Sequence, residues 1–115
     1  MRATNPNFMN GVPELLILRL LRGREMYGYE IVQEIRAETA EVVSLGEGVV
    51  YPVLHGLEKA GAITSRRLLV SGRSRIYYAL SPAGEVRLSE LAATWSRLTA
   101  AVGRVLEPGG HAAHA

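Results

Sequence analysis

An α+β fold, mostly α, is predicted by three stretches of this sequence. GEGVVYPVLHGLEKAG, from Gly46 to Gly61, carries apolar residues at helical spacing and ends on a glycine stop. Two strand-like runs between Ile63 and Leu80 flank the basic turn Ser71-Gly72-Arg73-Ser74-Arg75. A long helical pattern then begins at Pro82. A helix able to lie in a groove, followed by an arginine-tipped β-ribbon, is the order of a winged helix-turn-helix. The expected division is a flexible arm over residues 1–11, a winged-helix domain over 12–81, a dimerisation helix over 82–107 and a flexible tail over 108–115.

Taken in order, Pro13 suits the first turn of a helix, where its missing N–H costs nothing. The LLILRLLRG that follows is apolar on nearly every side, so one face covers the core and another needs a second partner. A second helix is expected from Gly28 to Thr39, with Ile31, Val32 and Ile35 inward and Glu30, Gln33, Glu34 and Glu38 wet. The β-branched Val42-Val43-Ser44-Leu45 reads as a small strand pairing with the later hairpin. In the third helix Val50, Val53, Leu54 and Leu57 form the inner side. The opposite side offers Gly48, Tyr51, Pro52, His55, Gly56 and Lys59. Pro52 removes a backbone hydrogen bond, so either the helix begins late or its first turn is distorted.

In the hairpin, Ile76, Tyr78 and Leu80 are expected inward and Tyr77 outward. Tyr27 and Tyr29 read as core with Tyr78, and Tyr51 as outward-facing. Ser81-Pro82 is a helix start, a hydroxyl cap followed by proline. Leu88, Leu91, Trp95, Leu98, Val102 and Val105 then recur at steps of three and four, the a/d spacing of a coiled-coil seam. A helix from Pro82 to Glu107 is about 39 Å long, more than a small domain needs for its own packing. Joined to the spare face of the first helix, around Leu15 and Leu18, this seam predicts a homodimer.

Composition narrows the classes. The 115 residues suffice for one domain with an appendage. The longest apolar stretch is interrupted by Arg19 and is too short to span a bilayer, so no membrane role is expected. Cysteine is absent, which removes disulfides and thiolate sites and agrees with a reducing cytoplasm. His111 and His114 have no carboxylate or cysteine nearby, so neither a metal nor any other cofactor is expected. No paired carboxylates, phosphate loop or Ser-His-acid set has a credible setting, which argues against an enzyme. The formal charge of +2 is small, but its placement is informative: Arg66, Arg67, Arg73 and Arg75 fall within ten residues, and no acid lies between Glu58 and Glu85.

Four segments together resemble the PadR family of bacterial transcriptional regulators: Met26-Tyr27-Gly28-Tyr29-Glu30-Ile31, Gly48-Val49-Val50-Tyr51-Pro52-Val53-Leu54, Leu57-Glu58-Lys59-Ala60-Gly61-Ala62-Ile63 and Arg75-Ile76-Tyr77-Tyr78-Ala79-Leu80-Ser81. The resemblance covers Leu15 to Leu106 and accounts for Pro52, since the family carries proline after this tyrosine within its recognition helix. The single long C-terminal helix looks like the shorter PadR subfamily. Where the family often has Ser-Pro-Gly-Thr-Leu-Tyr, this chain has Gly46-Glu47-Gly48-Val49-Val50-Tyr51, which replaces a hydroxyl by Val49 and adds the acid Glu47.

The resemblance implies a cytoplasmic repressor that binds double-stranded DNA as a homodimer on a palindromic operator. Gly48, Val49, Tyr51, Pro52, His55 and Lys59 are the recognition-helix candidates, and Arg66, Arg73, Arg75 and Tyr77 the wing candidates, with Arg67 ranked below the tip arginines. The helix lacks Arg, Asn or Gln for bidentate base reading, so specificity is expected to lean on shape and apolar contact. Trp95 is either an interface anchor or, with its symmetry mate, the wall of a cleft for a small planar aromatic or phenolic effector. Leu15, Leu18, Leu91 and Leu98 are its expected neighbours. The competing classes are a winged-helix interaction module without DNA binding and a MarR-like regulator.

Overall fold

The computed structural model describes residues 11–107. Helix α1 (Val12–Gly23) is followed by a short strand β1 (Met26–Tyr27), helix α2 (Gly28–Glu38) and helix α3 (Glu47–Lys59). Strands β2 (Ile63–Val70) and β3 (Arg73–Leu80) form the hairpin, and α4 (Pro82–Leu106) closes the chain. The sheet is antiparallel in the order β1-β3-β2. Most of the expected N-terminal arm, and the whole tail with His111 and His114, lie outside the described residues.

One apolar core sits between the first three helices and the base of the sheet. Ile17 and Leu18 of α1, Ile31 of α2, and Val50 and Leu54 of α3 are wholly enclosed, with Ile63 and Tyr78 supplied by the sheet. Ile35, Leu57 and Leu88 complete this surface. At roughly 25 cal/mol per Å² of apolar area removed from water, such burial is the main stabilising term. Pro52 lies inside a continuous α3 that begins at Glu47, so the helix neither starts late nor breaks. The missing N–H leaves the carbonyl of Gly48 without its intrahelical donor, on the exposed side where water reaches it.

The turn chemistry explains the joints. Gly61, at φ +82°, ends α3, and the amides of Ala62 and Gly61 donate to the carbonyls of Leu57 (2.9 Å) and Glu58 (3.0 Å). Ser71 and Gly72, at φ +52° and +78°, make the two-residue turn between β2 and β3. Two positive φ values in succession match the right-handed twist of a tight hairpin. The first strand, Ile63–Val70, stands where expected, whereas the second, expected from Arg75, begins at Arg73, so only Ser71 and Gly72 form the tip.

Three expectations are corrected. Residues 42–45 form no strand. Ala40 and Glu41 turn the chain with positive φ, and the Thr39 hydroxyl accepts from the Val43 amide at 3.0 Å. The free edge of β3 is taken by β1 instead, through Met26 opposite Tyr78 and Tyr27 opposite Tyr77. Ile76 is exposed because the hairpin has already passed the edge of the core at that register. Of the tyrosines expected in the core with Tyr78, Tyr29 is exposed, since the buried face of α2 is set by Ile31 and Ile35. Tyr27 is only half-buried, opposite Tyr77 on the sheet face away from the core.

Helix α4 is anchored only at its start. Ser81 caps it, its hydroxyl accepting from the Gly84 amide at 3.1 Å and donating to the Gly61 carbonyl at 2.6 Å. A Cβ at Gly84 would sit 2.0 Å from the Ala62 carbonyl oxygen, so glycine alone permits this approach. Ion pairs Arg87–Glu14 and Arg22–Glu85 join the same turns to α1. Gly84→Ala is therefore expected to lower the unfolding free energy by about 1–3 kcal/mol in urea titration. Gly56→Ala, whose methyl meets nothing, is expected to raise it by about 0.5–1 kcal/mol.

Candidate nucleic-acid interface

Burial of Val50, Leu54 and Leu57 determines which side of α3 faces out. Gly48, Val49, Pro52, His55, Gly56 and Lys59 are all exposed and share one face at helical spacing. Glu47 is exposed in the first turn, where the positive end of the helix favours a carboxylate. Tyr51 departs from its expected role. Its ring lies at the side of the helix against Gly28, so close that a Cβ there would stand 2.4 Å from the phenol oxygen. Tyr51 thus joins α3 to the start of α2, with His55 tilted beside it at 6.4 Å between ring centroids.

The register of the hairpin sorts the wing arginines onto two faces. Opposite pairs Arg66–Tyr77, Leu68–Arg75 and Val70–Arg73 lie on the face away from the core. Arg67 lies on the other face and donates to the Ser74 hydroxyl at 3.0 Å. Arg66 makes a two-pronged contact with Glu25, one prong being Nε to Oε2 at 3.1 Å. That bond holds the Glu25 carboxyl below its ordinary range and raises the Arg66 guanidinium. The acid-free interval in sequence is therefore not acid-free in space, because Glu25 arrives from 41 residues away.

Arg75 stands over the ring of Tyr27, 4.4 Å from its centroid. Tyr27 meets Tyr77 edge to face, with centroids 5.4 Å apart. Among the described residues neither Arg73 nor Arg75 lies within ion-pair distance of a carboxylate. The sequence reading missed both Glu25 and Tyr27. A two-residue strand has no periodicity to detect, so nothing local placed them beside the wing.

The apolar seam divides at Leu91. Leu88 is buried at the base of α4 and Leu18 is wholly enclosed within α1, so neither presents a surface to a second chain or to an effector. Both expectations are corrected: these side chains complete the core. Leu15 and Leu91 are half-buried against that core. Beyond them Trp95, Leu98, Val102 and Val105 are exposed, Trp95 by 44% and Val105 by 77%. Residues 92–106 rise about 22 Å past the domain. No helix among the described residues is long and apolar enough to cross a membrane, and no cluster there could hold a metal ion.

Burial, followed by the charge of Glu47, pushes the Tyr51 phenol above its ordinary value. Burial, then Glu58 and Tyr51, does the same to Tyr78. An unfolded tyrosine titrates near pH ~10. A raised folded value means that the stability from neutral Tyr51 and Tyr78 is complete below that pH and is lost as pH rises through the folded values. Urea midpoints are expected to fall in this alkaline window, and less steeply in Tyr51→Phe. A midpoint that stays flat there contradicts the burial of these two phenols.

Comparison with known proteins agrees with this geometry. The model of the transcriptional regulator PadR-like family matches residues 17–90. A transcriptional regulator of Mycobacterium tuberculosis is 34% identical over 83 residues, covering 72% of this chain and 75% of its own. Among solved structures, a transcriptional regulator from Clostridium thermocellum superposes with a TM-score of 0.79 at 28% identity, covering 85% of this chain and 96% of its own. A PadR family transcriptional regulator from Eggerthella lenta gives 0.76 at 28% identity, covering 88% and 87%. These proteins are regulators and not enzymes. With a winged-helix fold and a family match across its core, the chain belongs to the PadR-like family of transcriptional regulators.

Proposed function

We propose that the protein represses transcription by binding a two-fold symmetric operator as a homodimer. Support for the DNA contact comes above all from one juxtaposition: the outward face of α3 and the un-neutralised Arg73 and Arg75 project from the same small core. In this function Gly48, Val49, Pro52, His55 and Lys59 enter the major groove, with Val49 available to a thymine methyl and Lys59 to phosphate. Arg73 and Arg75 reach backbone or minor groove from the wing. Arg66 contributes less, because a phosphate must displace Glu25 to reach it. Tyr51 acts through the placement of α3, and Tyr77 through the wing.

The homodimer is supported by the exposed apolar stripe Trp95, Leu98, Val102 and Val105 on a helix that outruns its own domain. Pairing two stripes fixes the distance between two recognition helices, which is the quantity an operator with half-sites one turn apart reads. Trp95, flanked by Leu91 and Leu98, is the proposed contact for a small planar aromatic or phenolic effector. Such a ligand relieves repression only by binding one spacing of the heads better than another.

DNA titration over a range of salt tests this function. The expected result is two chains per operator and a log–log slope set by the phosphates contacted, about 0.9 per contact. Arg73→Ala with Arg75→Ala should weaken binding and shallow the slope by about one unit per lost contact. An unchanged slope would place the wing off the DNA.

A further inference from the structure

The wing holds two ordered arginines in chemically opposite ways. Arg66 is ordered by a carboxylate, which offsets its charge and takes two of its five N–H donors. Arg75 is ordered by a neutral ring, the Tyr27 face at 4.4 Å, itself buttressed by the edge of Tyr77. A guanidinium seated over a ring keeps its full charge, and its five N–H donors, which lie in its plane, remain available. The seat also removes rotamers that a long free arginine would have to lose on binding. Arg73, two residues nearer the tip on the same face, shows no such seat among the described residues.

We propose that Tyr27 is a positioning residue for DNA binding: it holds Arg75 ordered yet un-neutralised on the outer face of the wing, with Tyr77 fixing the ring. This rests on the proposed contact of the wing with DNA. The backbone supports it, because β1 places Tyr27 opposite Tyr77, and Arg75 is the same-face neighbour diagonal to that pair. Since Tyr27 is also the residue from which α2 departs, the seat is registered to the helix-turn-helix and not only to the hairpin.

Binding of operator DNA by Tyr27→Leu, Tyr27→Phe, Arg75→Ala and the double variant Tyr27→Leu with Arg75→Ala tests this. Tyr27→Leu is expected to weaken binding about two- to fivefold, the scale of one exposed cation–π contact, while Tyr27→Phe keeps the ring and the affinity. In the Arg75→Ala background Tyr27→Leu should add nothing. An equal loss in that background overturns the proposal, because Tyr27 would then act by another route. No loss from Arg75→Ala alone overturns both the wing contact and the seat that serves it. A second reading uses the unaltered protein and needs no variant to fold. The Arg75 δ protons should show an upfield ring-current shift in the nuclear magnetic resonance spectrum without DNA, and random-coil positions would contradict the seat.

Discussion

Four consecutive residues, Glu25 to Gly28, set the relation between the recognition helix and the wing. Glu25 binds Arg66 of β2, and Met26 enters the core opposite Tyr78. Tyr27 carries Arg75 and meets Tyr77. Gly28 accepts the Tyr51 ring of α3 at a distance that no side chain would allow. The last contact is the most demanding, because α3 can lie this close to the start of α2 only where a Cβ is missing. Neither α3 nor the hairpin would hold its angle from apolar packing alone, which is non-directional. The β1–α2 junction supplies the direction.

The charge distribution follows from the same junction. A basic hairpin adjoins an acidic α2, yet among the described residues only some of its arginines are paired with a carboxylate. Here Arg66 is neutralised by Glu25 and Arg67 is turned to the opposite face. The charge left for a partner is thus concentrated on Arg73 and Arg75, near the tip. An exposed ion pair such as Glu25–Arg66 stabilises the fold only slightly. Its larger effect is to leave Arg73 and Arg75 as the cations open to the proposed phosphate contact.

Much of this was legible in the sequence, for identifiable reasons. The periodicity of Val50, Leu54 and Leu57, the glycine stop at Gly61, the Ser81-Pro82 start and the twin strands each have a local physical cause, and each element stands where that cause puts it. The family resemblance explained Pro52, which periodicity alone left ambiguous. What was not legible depends on distant partners. A strand of two residues has no period, so β1 was missed and its place was assigned to residues 42–45. The a/d repeat could not tell that Leu88 is enclosed by α4's own domain while Trp95 is not, because spacing does not report where a domain ends. Leu18 read as spare and Tyr51 as outward because what covers them, the rest of the core and Gly28, comes from elsewhere in the chain.

DNA cleavage from a single site shows whether two α3 helices enter grooves of one duplex at a spacing set by α4, as proposed. The chain has no cysteine, so Val49→Cys carrying a DNA-cleaving reagent reports the location of the α3 face alone. Two cleavage centres are expected on a bound operator, related by two-fold symmetry and one helical turn, roughly 34–36 Å, apart. A single centre, or cleavage scattered without symmetry, would contradict it.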